Sequence, residues 1–223
     1  MTSSSRAVYA NPPDWPEMLV WMGAPLRGEI FVDVGANIGL YSLLTAELGA
    51  TVIAVEPAAD AFRRLRENID LNGYDIQAER IVLAGEPGEA FFTQDRGAVN
   101  RIVLPGEDKA AQPTAVTTLD VLLGDRTAAG VKVDVEGAEA LVLAGASKAL
   151  AGKRIRLLQL EWNQRSFEML GQDRRPIEEA LRGYGYELLR PDPFGRLLPV
   201  ENVSVGRDIF ARPVADRSNA AAP

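Results

Sequence analysis

Neither cysteine nor histidine occurs in this 223-residue chain. Without cysteine there is no disulfide framework and no thiol nucleophile, and the redox compartment stays undetermined. Without histidine the most frequent general base near neutral pH is missing, and catalytic triads that use it are excluded. Proton abstraction must then fall to a carboxylate, a lysine, a tyrosine or a metal-bound group. No apolar run reaches the ~18 residues that a membrane span needs. The N-terminal MTSSSRAVYANPP lacks the apolar region of a secretory signal. Positive charge is also short: 24 Lys and Arg against 31 Asp and Glu leave a net charge of −7. That balance argues against a broad phosphate-binding surface, so neither nucleic acid nor membrane is expected as a partner. A cytoplasmic location is the default expectation.

What is present is a core. Hydrophobic residues make up 47% of the chain, enough at this length for one domain with trimmings. Residues 30–212 read as that domain, 1–29 as a helical extension or lid, and 213–223 as a disordered tail. Apolar runs at 31–34, 51–55, 80–83, 115–119, 131–135 and 155–160 alternate with helical patterns such as Tyr41, Leu44 and Leu48. This predicts an α/β, doubly wound, Rossmann-like fold with a mostly parallel sheet. Runs at 90–93 and 99–104 read as a hairpin. Segments 186–189 and 207–211 are joined by a loop containing Pro191, Pro193 and Gly195. No helix fits between them, so an antiparallel hairpin at the sheet edge is expected.

Residues 31–56, FVDVGANIGLYSLLTAELGATVIAVE, carry the most information. A strand enters a turn containing Gly35 and Gly39, a helix follows, and a second strand ends on Glu56. Glycine lets backbone approach a ligand closely, and the turn N–H groups are expected to point into the crevice above the strand ends. Glu56 at a strand tip suits the two hydroxyls of a ribose. A dinucleotide site would set bare G-x-G-x-x-G backbone against a pyrophosphate. Asp33 stands at the strand tip instead, and its charge repels a pyrophosphate but suits a cation. S-adenosylmethionine, with its α-ammonium, sulfonium and ribose, fits both acids.

A second acidic cluster lies at Lys132-Val133-Asp134-Val135-Glu136-Gly137-Ala138-Glu139. Asp134 ends a strand and Glu136 opens the next helix. Glu139 is explained well by the helix dipole, which favours a first-turn carboxylate by ~0.3–1 kcal/mol. Glu161 ends the following strand beside Trp162 and Asn163. Such acids serve either as general bases and substrate clamps or as oxygen ligands of a hard cation, for which Mg²⁺ or Ca²⁺ would be preferred over zinc.

Taken together, VDVGANIGLYS, VEP, LRENIDLNG, TTLD, KVDVEGAE with LAGA, and LQLEW resemble the FkbM family of S-adenosylmethionine-dependent methyltransferases over roughly residues 30–165. The resemblance implies the class I methyltransferase fold, a seven-stranded sheet whose last strand is antiparallel. It also implies methyl transfer, most often to a hydroxyl of a sugar or secondary metabolite. Carried over by position, Asp33, Gly35, Asn37 and Gly39 would hold the methionine end, with Ala36 in the same turn among the cofactor contacts. Glu56 would bind the ribose, Pro57 would lie near the adenine, and Ala84 would face the adenine through its backbone. Asp134, Glu136 and Glu161 would line the acceptor side. Asp134 or Glu136 is expected to take the acceptor proton, directly or through water or a metal ion, with Mg²⁺ as an option.

A small-molecule acceptor is expected. Arg96, Asn100 and Arg101 are candidates for contacting a polar or anionic one. Methylation of nitrogen or of a carboxylate is the alternative; amine-methylating relatives of the fold often carry Asn/Asp-Pro-Pro-aromatic where this chain has Asp134-Val135-Glu136-Gly137. A nicotinamide-dependent oxidoreductase and a catalytically silent binding domain are further alternatives. The oligomeric state stays open, a homodimer being one option.

Overall fold

The structure is a computed structural model that describes residues 14–93, 102–103, 107–135, 137–162, 174–201, 203 and 208–214. Elements follow in the order α1 (Trp15–Met22), β1 (Ile30–Val34), α2 (Leu40–Glu47), β2 (Thr51–Val55), α3 (Ala59–Asn72), β3 (Ile76–Glu79), β4 (Val82–Leu83), β5 (Gly88–Phe92), β6 (Ile102–Val103), β7 (Gln112–Thr117), α4 (Leu119–Leu123), β8 (Ala128–Val133), α5 (Glu139–Ala144), α6 (Ser147–Ala151), β9 (Leu158–Leu160), α7 (Arg175–Gly183), β10 (Tyr186–Pro191), β11 (Leu197–Pro199) and β12 (Ile209–Pro213). Among the described residues no helix is long and apolar enough to cross a membrane.

The central sheet has eight strands in the order β11-β10-β12-β9-β8-β1-β2-β3, and a second sheet runs β4-β7-β5-β6. Strands β3, β2, β1, β8 and β9 are parallel; β12 is antiparallel to both β9 and β10. The doubly wound Rossmann-like α/β architecture is as expected, with two corrections. The sheet has eight strands, because the Pro191–Gly195 loop returns as the short edge strand β11. The antiparallel strand β12 is not at the edge. Its Ile209, Phe210 and Ala211 are all fully buried, and a strand apolar on both faces belongs inside a sheet.

The third parallel strand also differs from expectation. It is Ile76–Glu79, whose alternation of apolar and polar residues (Ile, Gln, Ala, Glu) masked it in an apolar scan. Val82–Leu83 leaves the main sheet and pairs with β7. The expected hairpin is present as β5 and β6, although Arg96, Asn100 and Arg101 lie outside the described residues.

Each sheet face has its own core. On one side Val32, Val34, Val131, Val133, Leu160 and Ile209 meet Leu119 and Leu123 of α4, Val142 of α5, Leu150 of α6 and Leu181 of α7. On the other, Phe31, Val52, Ala54 and Phe210 meet Trp21 of α1, Tyr41 of α2, and Leu65 and Ile69 of α3. The N-terminal helix therefore packs on the core: Trp21 is fully buried and meets Phe31 edge-on at 4.9 Å. Residues 1–13 of the expected extension, and 215–223 of the expected tail, lie outside the described residues.

Two recurrent-looking sequence motifs prove to be one joint. Asp120 of TTLD accepts hydrogen bonds from the N–H groups of Lys148 (2.9 Å) and Ala149 (2.7 Å), capping α6 from a neighbouring helix. Its own N–H donates to the carbonyl of Gly145, in LAGA, at 2.8 Å. Gly145 splits the helix expected over 136–150 into α5 and α6 and presses against the carbonyl of Ala84. A Cβ at Gly145 would sit 2.1 Å from that oxygen. Backbone cannot yield as a flexible side chain does, so Gly145→Ala should lower stability by ~1–3 kcal/mol, read as a reduced urea midpoint with unchanged m-value.

Candidate active site

The site forms where the turn after β1 touches the turn after β8. Gly35 has φ 80°, and a Cβ there would lie 1.9 Å from the Asp134 carbonyl oxygen, so only glycine allows this approach. Asn37 follows at φ 52°, a left-handed conformation that asparagine tolerates. Asn68, from LRENIDLNG on α3, donates to the Ile38 carbonyl at 2.8 Å and holds the turn from behind.

The turn N–H groups do not point freely into the crevice, as the sequence suggests. Gly35 and Ala36 donate to the Val55 carbonyl at 2.9 and 3.0 Å, and Asn37 donates to Glu56 Oε2 at 2.8 Å. The turn is thereby bolted to the tip of β2, and recognition falls to side chains. Glu56 Oε1 accepts from the Ala58 N–H at 2.8 Å, and burial pushes its carboxyl up to about 7. Pro57 is partly buried, and its carbonyl accepts from Arg80 Nε at 3.4 Å. Ala84 packs with Ala58, but its N–H donates to Thr117 and its carbonyl faces Gly145, so its backbone is already engaged.

Asp33 is nearly inaccessible (1%), beneath the crevice floor. Ser42 Oγ donates to its Oδ2 at 2.6 Å, whereas Oδ1 has no hydrogen-bond partner. Burial raises its pKa, opposed first by the nearby Lys132 ammonium. Lys132 is a residue that sequence reading left without a role. It pairs in register with Asp33 on one side and Gln159 on the other, so the three side chains form a polar row across β1, β8 and β9. Its Nζ lies 2.8 Å from Asp134 Oδ2 and 4.7 Å from the centre of the Tyr41 ring. Burial alone would lower the Lys132 pKa, but the surrounding acids outweigh it and hold the ammonium charged. A lysine inside the otherwise apolar run Val131-Lys132-Val133 was the signal available in the sequence.

Glu161 is buried at the tip of β9, and its carbonyl accepts from Arg174 Nη1 at 2.6 Å. Arg174 stacks on Trp162 at 4.7 Å, and burial lowers its pKa against the opposing pull of Glu139, Glu161 and Asp208. Glu139 lies in the first turn of α5, where the helix dipole favours a carboxylate, and accepts from the Gly137 N–H at 3.0 Å. Asp208, just ahead of β12, accepts from the Trp162 N–H at 3.4 Å. Glu136 lies outside the described residues. The suggested Mg²⁺ finds no support: among the described residues no three carboxylates gather as a metal-binding group. The cation in contact with Asp134 is Lys132.

Residues 33–188 match the Methyltransferase FkbM domain, most of the chain. The chain belongs to the FkbM methyltransferase family. It is 30% identical over 153 residues to the hexuronic acid methyltransferase AglP of Haloferax volcanii, a match covering 59% of this chain and 62% of that protein. It thus spans under two thirds of that relative's length. Among solved structures it resembles a TehB-like SAM-dependent methyltransferase from Corynebacterium glutamicum, with TM-score 0.52, 14% identity, and 93% and 91% of the two chains covered. It also resembles the T. thermophilus 16S rRNA N2 G1207 methyltransferase RsmC, with TM-score 0.50, 14% identity, and 92% and 45% covered. These likenesses establish the class I fold. FkbM membership implies S-adenosylmethionine as cofactor, and the residues fit it: a buried carboxylate oxygen of Asp33 lacks a partner, and the Glu56 carboxylate stands at the tip of the next strand.

Two outcomes follow for this FkbM domain. Lys132→Met leaves Asp33 and Asp134 without their cation, and thermal or urea unfolding should show a loss of ~3–5 kcal/mol. The carboxyl of Glu56 binds its proton more tightly when folded than when unfolded, with a pKa about 7 against 4.5. Its stabilising contribution is therefore complete below 4.5 and is lost as pH rises through about 7. That change amounts to on the order of 3 kcal/mol, and Glu56→Gln should flatten the urea-midpoint profile across this range.

Proposed function

We propose that this FkbM domain binds S-adenosylmethionine in the crevice between the tips of β1 and β2 and transfers its methyl group to an oxygen of a small molecule, most often a hydroxyl. The observation that carries the reading is the pairing of Asp33 and Glu56 around one glycine turn. In this reading Glu56 accepts hydrogen bonds from the ribose hydroxyls. Each of its oxygens already holds one backbone donor and keeps a second lone pair for the sugar. Asp33 acts through its field, drawing a cationic ligand over the crevice, with Gly35, Ala36, Asn37 and Gly39 shaping the floor beneath the methionine end. Pro57 and Ala84 line the adenine side as apolar wall. The cofactor supplies an electrophilic methyl group; the protein supplies alignment, for which proximity and orientation contribute ~7–11 kcal/mol.

Asp134, Glu136 and Glu161 line the acceptor side in this proposal. The Lys132 ammonium occupies Asp134 Oδ2 and leaves Oδ1 for an acceptor hydroxyl. A hexuronic acid, named in the AglP relative, offers hydroxyl and carboxylate oxygens, so a uronic acid or related sugar is the acceptor class to try first. The net charge of −7 argues against nucleic acid as the acceptor.

Calorimetric titration tests the cofactor: S-adenosylmethionine should bind and NAD should not, an outcome whose reversal would favour an oxidoreductase. Glu56→Ala should weaken cofactor binding by roughly tenfold to a hundredfold, the worth of one or two hydrogen bonds to a charged group. Asp134→Asn should keep cofactor affinity and raise KM for sugar acceptors.

A further inference from the structure

Asp208 lies beyond the span that matches the family, residues 33–188, yet the topology delivers it to the acceptor rim. Strand β12 runs antiparallel beside β9 with Ile209 opposite Leu160. The residue that opens β12 therefore stands next to Glu161, at the carboxyl ends of the parallel strands, where open α/β sheets place their ligands. Two donors aim its half-buried carboxylate: Gln159 Nε2 to Oδ2 at 2.8 Å, and the Trp162 N–H to Oδ1 at 3.4 Å. Gln159 is aimed in turn by Trp21 of α1, whose indole Nε1–H donates to Oε1. Asp134 is situated differently. Its Oδ2 holds the buried Lys132 ammonium, and protonating it would break that pair.

We infer that Asp208 takes the proton of the acceptor hydroxyl while the ion-paired Asp134 orients that hydroxyl. This rests on the methyl-transfer reading. In the step, an oxygen lone pair of the acceptor forms the new O–CH₃ bond as the methyl–sulfur bond breaks. Sulfur keeps the bonding pair and becomes a neutral thioether. The hydroxyl proton passes to Asp208 Oδ1, the oxygen with the longer hydrogen bond, and later to solvent. The groups that face Asp208 are Asp14 ahead of α1, Tyr41 of α2, Lys132 and Asp134 at the end of β8, Gln159 of β9 and Arg174 ahead of α7. Burial dominates among these influences and pushes the carboxyl up to about 7, which suits a base working near neutrality.

Two readouts on the full chain test the assignment. The first needs no acceptor: carboxyl titration by NMR on protein carrying ¹³C-labelled aspartate, with S-adenosylhomocysteine bound. One aspartate should titrate near 7 and be missing from Asp208→Asn; titration of Asp208 in the ordinary carboxyl range overturns the inference. The second is methyl transfer to D-glucuronic acid and its methyl glycoside. Asp208→Asn should lower kcat by ~10²–10⁴ at unchanged S-adenosylmethionine affinity and should lose the acid limb of the kcat profile. Asp134→Asn should retain that limb and raise KM. Turnover of Asp208→Asn within about threefold of wild type, or an acid limb that survives in it, overturns the inference alone. If the wild-type chain fails to bind S-adenosylmethionine, the methyl-transfer reading falls and this assignment falls with it.

Discussion

A single buried ammonium organises the functional end of this molecule. Lys132 emerges from the middle of an apolar strand into a space walled by Asp33, Asp134, Tyr41 and Gln159. Removing a charge from water is expensive unless partners surround it, so the ion pair constrains where those partners sit. With Lys132 in place, two carboxylates can share one crevice floor without ejecting each other. The site keeps a negative field suited to a cationic cofactor, and one of its acids stays at the mouth in a fixed orientation.

The glycines serve that arrangement through proximity. At Gly35 and Gly145 one backbone segment rests directly on the carbonyl of another, at Asp134 and at Ala84. The first contact brings the turn after β1 against the turn after β8. The second locks the joint between the two sheets, where Asp120 also caps α6. Residues that read as catalytic punctuation in the motifs thus include several whose work is packing. The turn N–H groups, spent on Val55 and Glu56, show the same thing: they fix the crevice wall, and the carboxylates are left to meet the ligand.

Two residues outside the family-matched span meet at the centre of the sheet. Helix α1 contributes Trp21, and the approach to β12 contributes Asp208; the two are linked through Gln159 in the centre of the sheet. Specificity in this fold is grafted onto a common scaffold, and these two elements lie outside the family-matched residues 33–188.

Periodicity and motif spacing were enough to determine the alternating α/β layout, the glycine turn, the acids at strand tips and the family. Each depends on residues near one another in the chain, where strand period, helix period and turn chemistry act directly. The polar alternation of Ile76–Glu79 hid a true strand, and the Pro191–Gly195 loop concealed which segment returns beside it, since pairing partners are chosen by burial on both faces. Tertiary structure alone decided that Lys132 pairs with Asp134 beside Asp33, that β12 lies inside the sheet, and that Asp208 comes to stand beside Trp162. Those outcomes arise from register between strands far apart in sequence, and register is settled only when the whole core packs.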